Sequence, residues 1–73
     1  MPHVIVKMRA GRGDSLKSTL ARAVTHAVTA ALGVAEDSVS VGIEDVQASD
    51  WRSQVYEPDI LGKPETLFKK PGY

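Results

Sequence analysis

The chain has 73 residues, which make one domain at most, and a domain of this size buries only about 60% of the surface that its unfolded chain exposes. It contains no cysteine, so disulfides and the commonest zinc ligands are excluded, and we expect oligomerisation to supply the missing stability. Nine basic residues balance nine acidic ones, which argues against binding to nucleic acid or to an anionic membrane. No apolar stretch is long enough to span a bilayer, and no signal peptide is evident. Residues 1–73 are therefore predicted to form a single cytoplasmic domain.

The first predicted element is a strand over residues 2–8. Apolar side chains alternate there with a partly polar set, which is strand periodicity; the two sets are Val4, Val6 and Met8, and His3, Ile5 and Lys7. Glycines at positions 11 and 13 end the pattern.

A helix follows over Ser15–Leu32. Its apolar positions recur three or four residues apart, which predicts one buried face: Leu16, Leu20, Val24, Ala27, Val28 and Ala31. We expect Asp14 to cap its amino end and Gly33 to end it.

A second strand is predicted over Ser38–Val46, where Val39, Val41 and Ile43 alternate with smaller or polar residues. Strand, helix and strand indicate an α/β (α+β) fold made of a single β-α-β unit with parallel strands and a right-handed crossover. One helix covers only one face of a two-stranded sheet, so we expect another subunit to cover the second face.

The remaining residues are interrupted by Pro58, Gly62, Pro64 and Pro71. Only short helical turns are expected there, over residues 49–56 and 64–69. The many apolar residues of this tail favour packing on a partner subunit over disorder.

Motifs for most kinds of catalysis are missing, since the chain has no cysteine nucleophile, no serine elbow and no phosphate-binding glycine loop. The two histidines are too few for a metal site. The remaining candidate is Pro2, which becomes a secondary amine if Met1 is removed. Apolar surroundings or nearby cations would lower the pKa of that amine and allow it to act as a general base. The alternative is that Pro2 is an ordinary second residue.

Several features in order resemble the 4-oxalocrotonate tautomerase family, whose members use an amino-terminal proline. They are a proline opening the first strand, Gly11-Arg12 at its end, a helix, a second strand and then an aromatic residue; the positions concerned are Pro2, Arg12, Asp14, Leu20 and Trp51. The tail Lys69-Lys70-Pro71-Gly72-Tyr73, together with Trp51, is similar to a branch outside the best-known pathway enzymes.

The resemblance implies an isomerase that interconverts the enol and keto forms of a small 2-oxo acid, either 2-hydroxydienoic or arylpyruvic, without a cofactor or metal. Pro2 would be the general base. Arg12 would bind the substrate carboxylate and stabilise the developing dienolate. Trp51 would line the pocket and exclude water, although a core or interface role is equally compatible with a single tryptophan. The family also implies a homo-oligomer, either a hexamer built as a trimer of dimers or a dimer.

The chain departs from the family at Ser40, where the pathway enzymes have a second arginine. Arg52 or Arg9 could supply a replacement charge, and a monocarboxylate such as an arylpyruvate becomes the better expectation. Two alternatives stay open. One is a hydratase, dehalogenase or decarboxylase on the same scaffold, which needs an acidic partner such as Asp45, Asp50 or Glu57. The other is a catalytically inert oligomer that binds a small ligand.

Overall fold

The structure is a computed structural model that describes every residue from Met1 to Tyr73. It contains strand β1 at His3–Arg9, helix α1 at Asp14–Leu32 and strand β2 at Ser40–Val46. The two strands are parallel and pair with Val4 opposite Val41. The predicted β-α-β unit is therefore confirmed, with every strand end within two residues of its predicted position.

The ends of α1 are set by two glycines. Gly13 has an extended backbone, and its carbonyl accepts a hydrogen bond from Lys17 N at 3.2 Å, so the helix begins one residue earlier than predicted. The prediction that Asp14 caps the helix is wrong, because Asp14 lies inside the first turn. Its negative charge there still interacts favourably with the helix dipole. Gly33 ends the helix as predicted: its φ of 69° is left-handed, and its N–H donates to Thr29 O at 2.9 Å.

One face of the sheet packs against α1. Val4 and Val6 lie on this face with Val41, and the ion pair between Lys17 Nζ and Asp45 Oδ2, 2.7 Å long, joins the helix to the same side of β2. The contact covers only part of the predicted apolar helix face: no residue of α1 is fully buried, and Leu16 remains 60% exposed.

The opposite face of the sheet is only partly covered within the chain. Ile5 lies on it and is 51% exposed. Lys7, two residues further along, donates to Asp59 of the tail at 2.6 Å, so the chain itself reaches one end of this face. Coverage of the remainder by another subunit stays a prediction.

The tail is more ordered than the sequence suggested. Short 3₁₀ turns at Ala48–Asp50 and Pro64–Thr66 flank a π-helix at Arg52–Leu61. The expectation that Pro58 would end any helix is wrong, because a π-helix has wide turns with i→i+5 hydrogen bonds, and the proline removes one donor without ending the helix.

Only two residues of the single chain are fully buried. They are Val46, at the end of β2, and Val55, in the π-helix, at 5% and 6% exposure. Gly62 closes the π-helix by donating to Glu57 O at 2.8 Å. A Cβ at position 62 would lie 2.7 Å from the carbonyl oxygen of Pro58, so glycine is required for this close approach.

Candidate functional site

Pro2 lies immediately before β1 and is fixed to β2 by a backbone hydrogen bond. Its carbonyl accepts from Ser40 N at 3.1 Å, and its side chain is half-buried. The neighbouring His3 bonds through Nδ1 to Ser40 Oγ at 2.6 Å. Met1 is fully exposed. The position at which the resemblance implies an arginine is thus occupied by a serine bonded to the residue beside Pro2.

Pro2 and the predicted binding residues lie at opposite ends of β1. Seven residue steps separate Pro2 from Arg9, which at about 3.3 Å per step is roughly 23 Å. Arg12 lies beyond Arg9, after the strand has ended. A single chain therefore does not bring Pro2 and Arg12 together around one small substrate.

Trp51 and Arg52 do lie together, in an aromatic cluster at the carboxyl end of the strands. Trp51 Nε1 donates to Tyr73 Oη at 3.1 Å. The ring of Tyr73 lies 5.6 Å from that of Tyr56, inclined at 33°. We refer to Trp51, Tyr56 and Tyr73 as the aromatic cluster.

Two adjoining cavities of about 320 Å³ open beside the aromatic cluster. One is lined by Arg9, Ala48, Trp51 and Tyr73. The other is lined by Trp51, Arg52, Tyr56 and Tyr73. This volume is at the lower end of the range for small-molecule sites, so each cavity suits a small ligand.

The three arginines near the carboxyl end of the strands differ in what they contact. The Arg52 guanidinium lies 5.6 Å from the centre of the Tyr56 ring and 3.8 Å from a Glu57 carboxylate oxygen. Arg12 is exposed and donates through Nη1 to Arg9 O at 3.2 Å, and it lines neither cavity. Arg9 lines the first cavity.

Two residues of this site, Tyr56 and Tyr73, were missed by the sequence reasoning, and Arg9 was named only as a possible replacement charge. Tyr73 is 22 positions from its partner Trp51, across an irregular tail whose periodicity carries no information about folding. The one available signal was that Tyr73 belongs to the tail segment that contributed to the family resemblance.

Two of the three acidic residues considered for hydration or dehalogenation are paired with basic side chains. Asp45 pairs with Lys17, and its hydrogen bond raises the pKa of Lys17. Glu57 faces Arg52. No three His, Asp or Glu side chains are grouped as a metal site would require. None of the helices combines the length and the hydrophobicity needed to cross a membrane.

The sequence from Pro2 to Val55 matches the family model described as Tautomerase enzyme. The chain belongs to the tautomerase family. It is 47% identical over 73 residues to a probable tautomerase of Xylella fastidiosa, covering this whole chain and 89% of that relative. It is 36% identical over 74 residues to the tautomerase PptA of Cronobacter sakazakii, again over the whole chain and 97% of the relative. The PptA of Pectobacterium carotovorum is 34% identical with the same coverage.

These matches make the chain a tautomerase, and therefore an isomerase, as the resemblance implied. The family match includes Pro2, Arg12 and Trp51 but ends before Tyr56. The similarity to the individual tautomerases continues through the tail to Tyr73.

Proposed function

We propose that this tautomerase interconverts the enol and keto forms of a small 2-oxo acid, with the Pro2 nitrogen as general base. The free amine takes the proton of the enol hydroxyl while the carbonyl forms, and the resulting ammonium returns a proton to the neighbouring carbon. The overall reaction needs no oxidant and no co-substrate. The observation that carries the proposal is the attachment of Pro2 to β2 through the 3.1 Å bond from Ser40 N, which holds the nitrogen in place at the start of a paired strand.

Removal of Met1 is required for this role, because a nitrogen in the Met1–Pro2 peptide bond is an amide and is not basic. The full exposure of Met1 is compatible with its removal. A half-buried position disfavours the charged form of an amine, which would favour the action of Pro2 as a general base.

We assign Arg12 to stabilise the negative charge that develops on the substrate, which suits the fixed donors of a guanidinium. Trp51 lines the pocket and Arg52 contributes positive charge near it. With serine at position 40, the chain lacks a second arginine beside Pro2, and a monocarboxylic substrate such as an arylpyruvate is favoured over a dicarboxylate.

Because roughly 23 Å of strand separates Pro2 from Arg9, we propose that each active site combines Pro2 of one chain with Arg12 and Trp51 of another. A homodimer suffices, and a hexamer built as a trimer of dimers repeats the same arrangement. The exposed Ile5 and Leu16 are compatible with burial against other subunits. We also predict a cytoplasmic location.

The test uses one chain in two states of its amino terminus. With a cleavable extension before Pro2, the nitrogen is an amide and the ketonisation of phenylenolpyruvate should remain at the uncatalysed rate. Cleavage that leaves Pro2 first, verified by mass spectrometry, should restore activity. Pro2→Ala should lower kcat at least 100-fold, within the range ascribed to general base catalysis, whereas Pro64→Ala, outside the proposed site, should not.

Equal activity before and after cleavage would contradict the role of Pro2. Absence of activity in the cleaved protein towards every enol acid tested would favour the alternative of an inert ligand-binding oligomer.

A further inference from the structure

Arg9 stands out among the charged residues near the aromatic cluster because its guanidinium has no partner within the chain. It takes part in none of the four ion pairs, and no side-chain hydrogen bond involves it. Its carbonyl is occupied by Arg12, but its side chain lines the cavity with Trp51 and Tyr73. The five N–H donors of Arg9 are therefore free to bind a ligand from that cavity.

Tyr73 is held in position although it is 68% exposed. Its hydroxyl accepts a hydrogen bond from Trp51 Nε1, and its ring contacts Tyr56. These two contacts hold the hydroxyl group and the ring. The ring also lines both of the cavities of about 320 Å³, so it forms a wall that is held in place before a ligand binds.

The lining of the first cavity is apolar except for one guanidinium: Ala48, Trp51 and Tyr73 supply carbon surface and Arg9 supplies the charge. A planar ring stacks favourably on aromatic side chains. A carboxylate accepts two parallel hydrogen bonds from an arginine. The combination matches a molecule with an aromatic ring at one end and a carboxylate at the other, and the volume of about 320 Å³ accommodates a single ring.

We propose that Arg9 and Tyr73 determine the specificity of the substrate site for aryl-substituted acids. Arg9 binds the substrate carboxylate, which leaves Arg12 to the oxygen that gains charge. Tyr73 and Trp51 hold the aromatic ring. Arg9 thereby supplies the second positive charge that Ser40 does not. This inference rests on the proposed function, because it concerns the same site.

Binding can be measured apart from turnover. The probe is 3-phenylpropanoate, which has a ring and a carboxylate but no carbonyl to enolise, and affinity is measured by calorimetry and by the fluorescence of Trp51, the only tryptophan. Arg9→Gln should weaken binding at least tenfold. Tyr73→Leu should weaken it about tenfold, whereas Tyr73→Phe should stay within about threefold, because the stacking surface is kept.

Two controls separate these effects from general damage. Arg22→Gln removes an exposed arginine on α1 and should leave the dissociation constant unchanged. Butanoate, which has no ring, should bind weakly and be affected by Arg9→Gln but not by Tyr73→Leu. Circular dichroism should show that all variants are folded.

The outcomes also separate this inference from the proposed function. Pro2→Ala should bind 3-phenylpropanoate like the wild type while losing activity. If the wild-type protein is inactive towards enol acids but its binding of the probe still depends on Arg9 and Tyr73, the proposed function is overturned and the binding site is supported. An active enzyme in which Arg9→Gln and Tyr73→Leu both bind the probe with wild-type affinity would overturn the inference.

Discussion

At the scale of single residues, Ser40 lies next to Pro2, the proposed general base. Its N–H holds the Pro2 carbonyl and its hydroxyl bonds to His3, so a charge introduced at position 40 would lie close to the Pro2 nitrogen of the same chain. A nearby positive charge disfavours the ammonium form and lowers the pKa of an amine. The position of the acidic limb of the kcat/KM profile reports that pKa in the free enzyme.

Ser40→Arg is therefore expected to move the acidic limb of the kcat/KM profile to lower pH than Ser40→Gln, by about 0.5 to 1 unit for a partly solvated charge. The matched glutamine variant removes the same hydroxyl and has a long side chain without charge. Raising the ionic strength should reduce the difference, because salt screens exposed charges. Coincident profiles for the two variants would mean that position 40 does not influence the base electrostatically.

At the scale of elements, the three regular ones were predictable and the tail was not. Apolar residues repeat with the period of a strand in β1 and β2, and with that of a helix in α1. Examples are Val4 and Val6, Val41 and Ile43, and Leu20 and Val24. These patterns located the three elements to within two residues. The π-helix at Arg52–Leu61 has no such local signal. It contains Pro58, and Val55 within it is buried. Its residue Asp59 pairs with Lys7, which is far away in sequence.

The candidate site shows the same limit. Trp51 and Arg52 could be predicted to lie together because they are adjacent in sequence, and Pro2 because it opens a strand. The position of Tyr73 depends on how an irregular tail folds back onto Trp51, and that path is set by tertiary contacts. The unpaired state of Arg9 likewise depends on where every carboxylate in the fold lies.

The Lys7–Asp59 pair anchors the π-helix to β1, and its effect on stability should depend on pH. The hydrogen bond from Lys7 lowers the pKa of Asp59 below its ordinary value of 3.8 and the same bond raises the pKa of Lys7 above 10.5. The contribution of Asp59 is thus present above pH 3.8 and is lost as the pH falls through the lowered pKa. That of Lys7 is present below pH 10.5 and is lost as the pH rises through the raised pKa.

Thermal unfolding of wild type and Asp59→Asn should therefore differ by a constant, small amount between about pH 5 and pH 9. The difference should shrink as the pH falls below 3.8, where the wild-type carboxylate becomes protonated. Asp37→Asn, at an exposed aspartate without an ion pair, should track the wild type throughout. A difference between wild type and Asp59→Asn that persists unchanged in acid would show that the ion pair is not what anchors the tail.

At the scale of the whole molecule, the proposed roles of Pro2 and Arg12, which β1 holds apart, predict that activity depends on the assembly of subunits. If each site takes Pro2 from one chain and Arg12 from another, a Pro2→Ala chain and an Arg12→Ala chain are each inactive alone and complement each other. In a mixed dimer one of the two sites has both residues and the other has neither. With random mixing, half of the dimers are mixed, so roughly a quarter of wild-type activity should return.

The experiment is to unfold, mix and refold the two variants together, and to compare the mixture with each variant refolded alone. As a control, Pro2→Ala mixed with wild type should give activity in proportion to the wild-type chains. If both residues of a site came from the same chain, the mixture of variants would contain no complete site at any ratio and would remain as inactive as its components. Recovered activity that rises and falls with the fraction of mixed oligomers would instead show that β1 separates the base from its binding partners and that association of subunits reunites them.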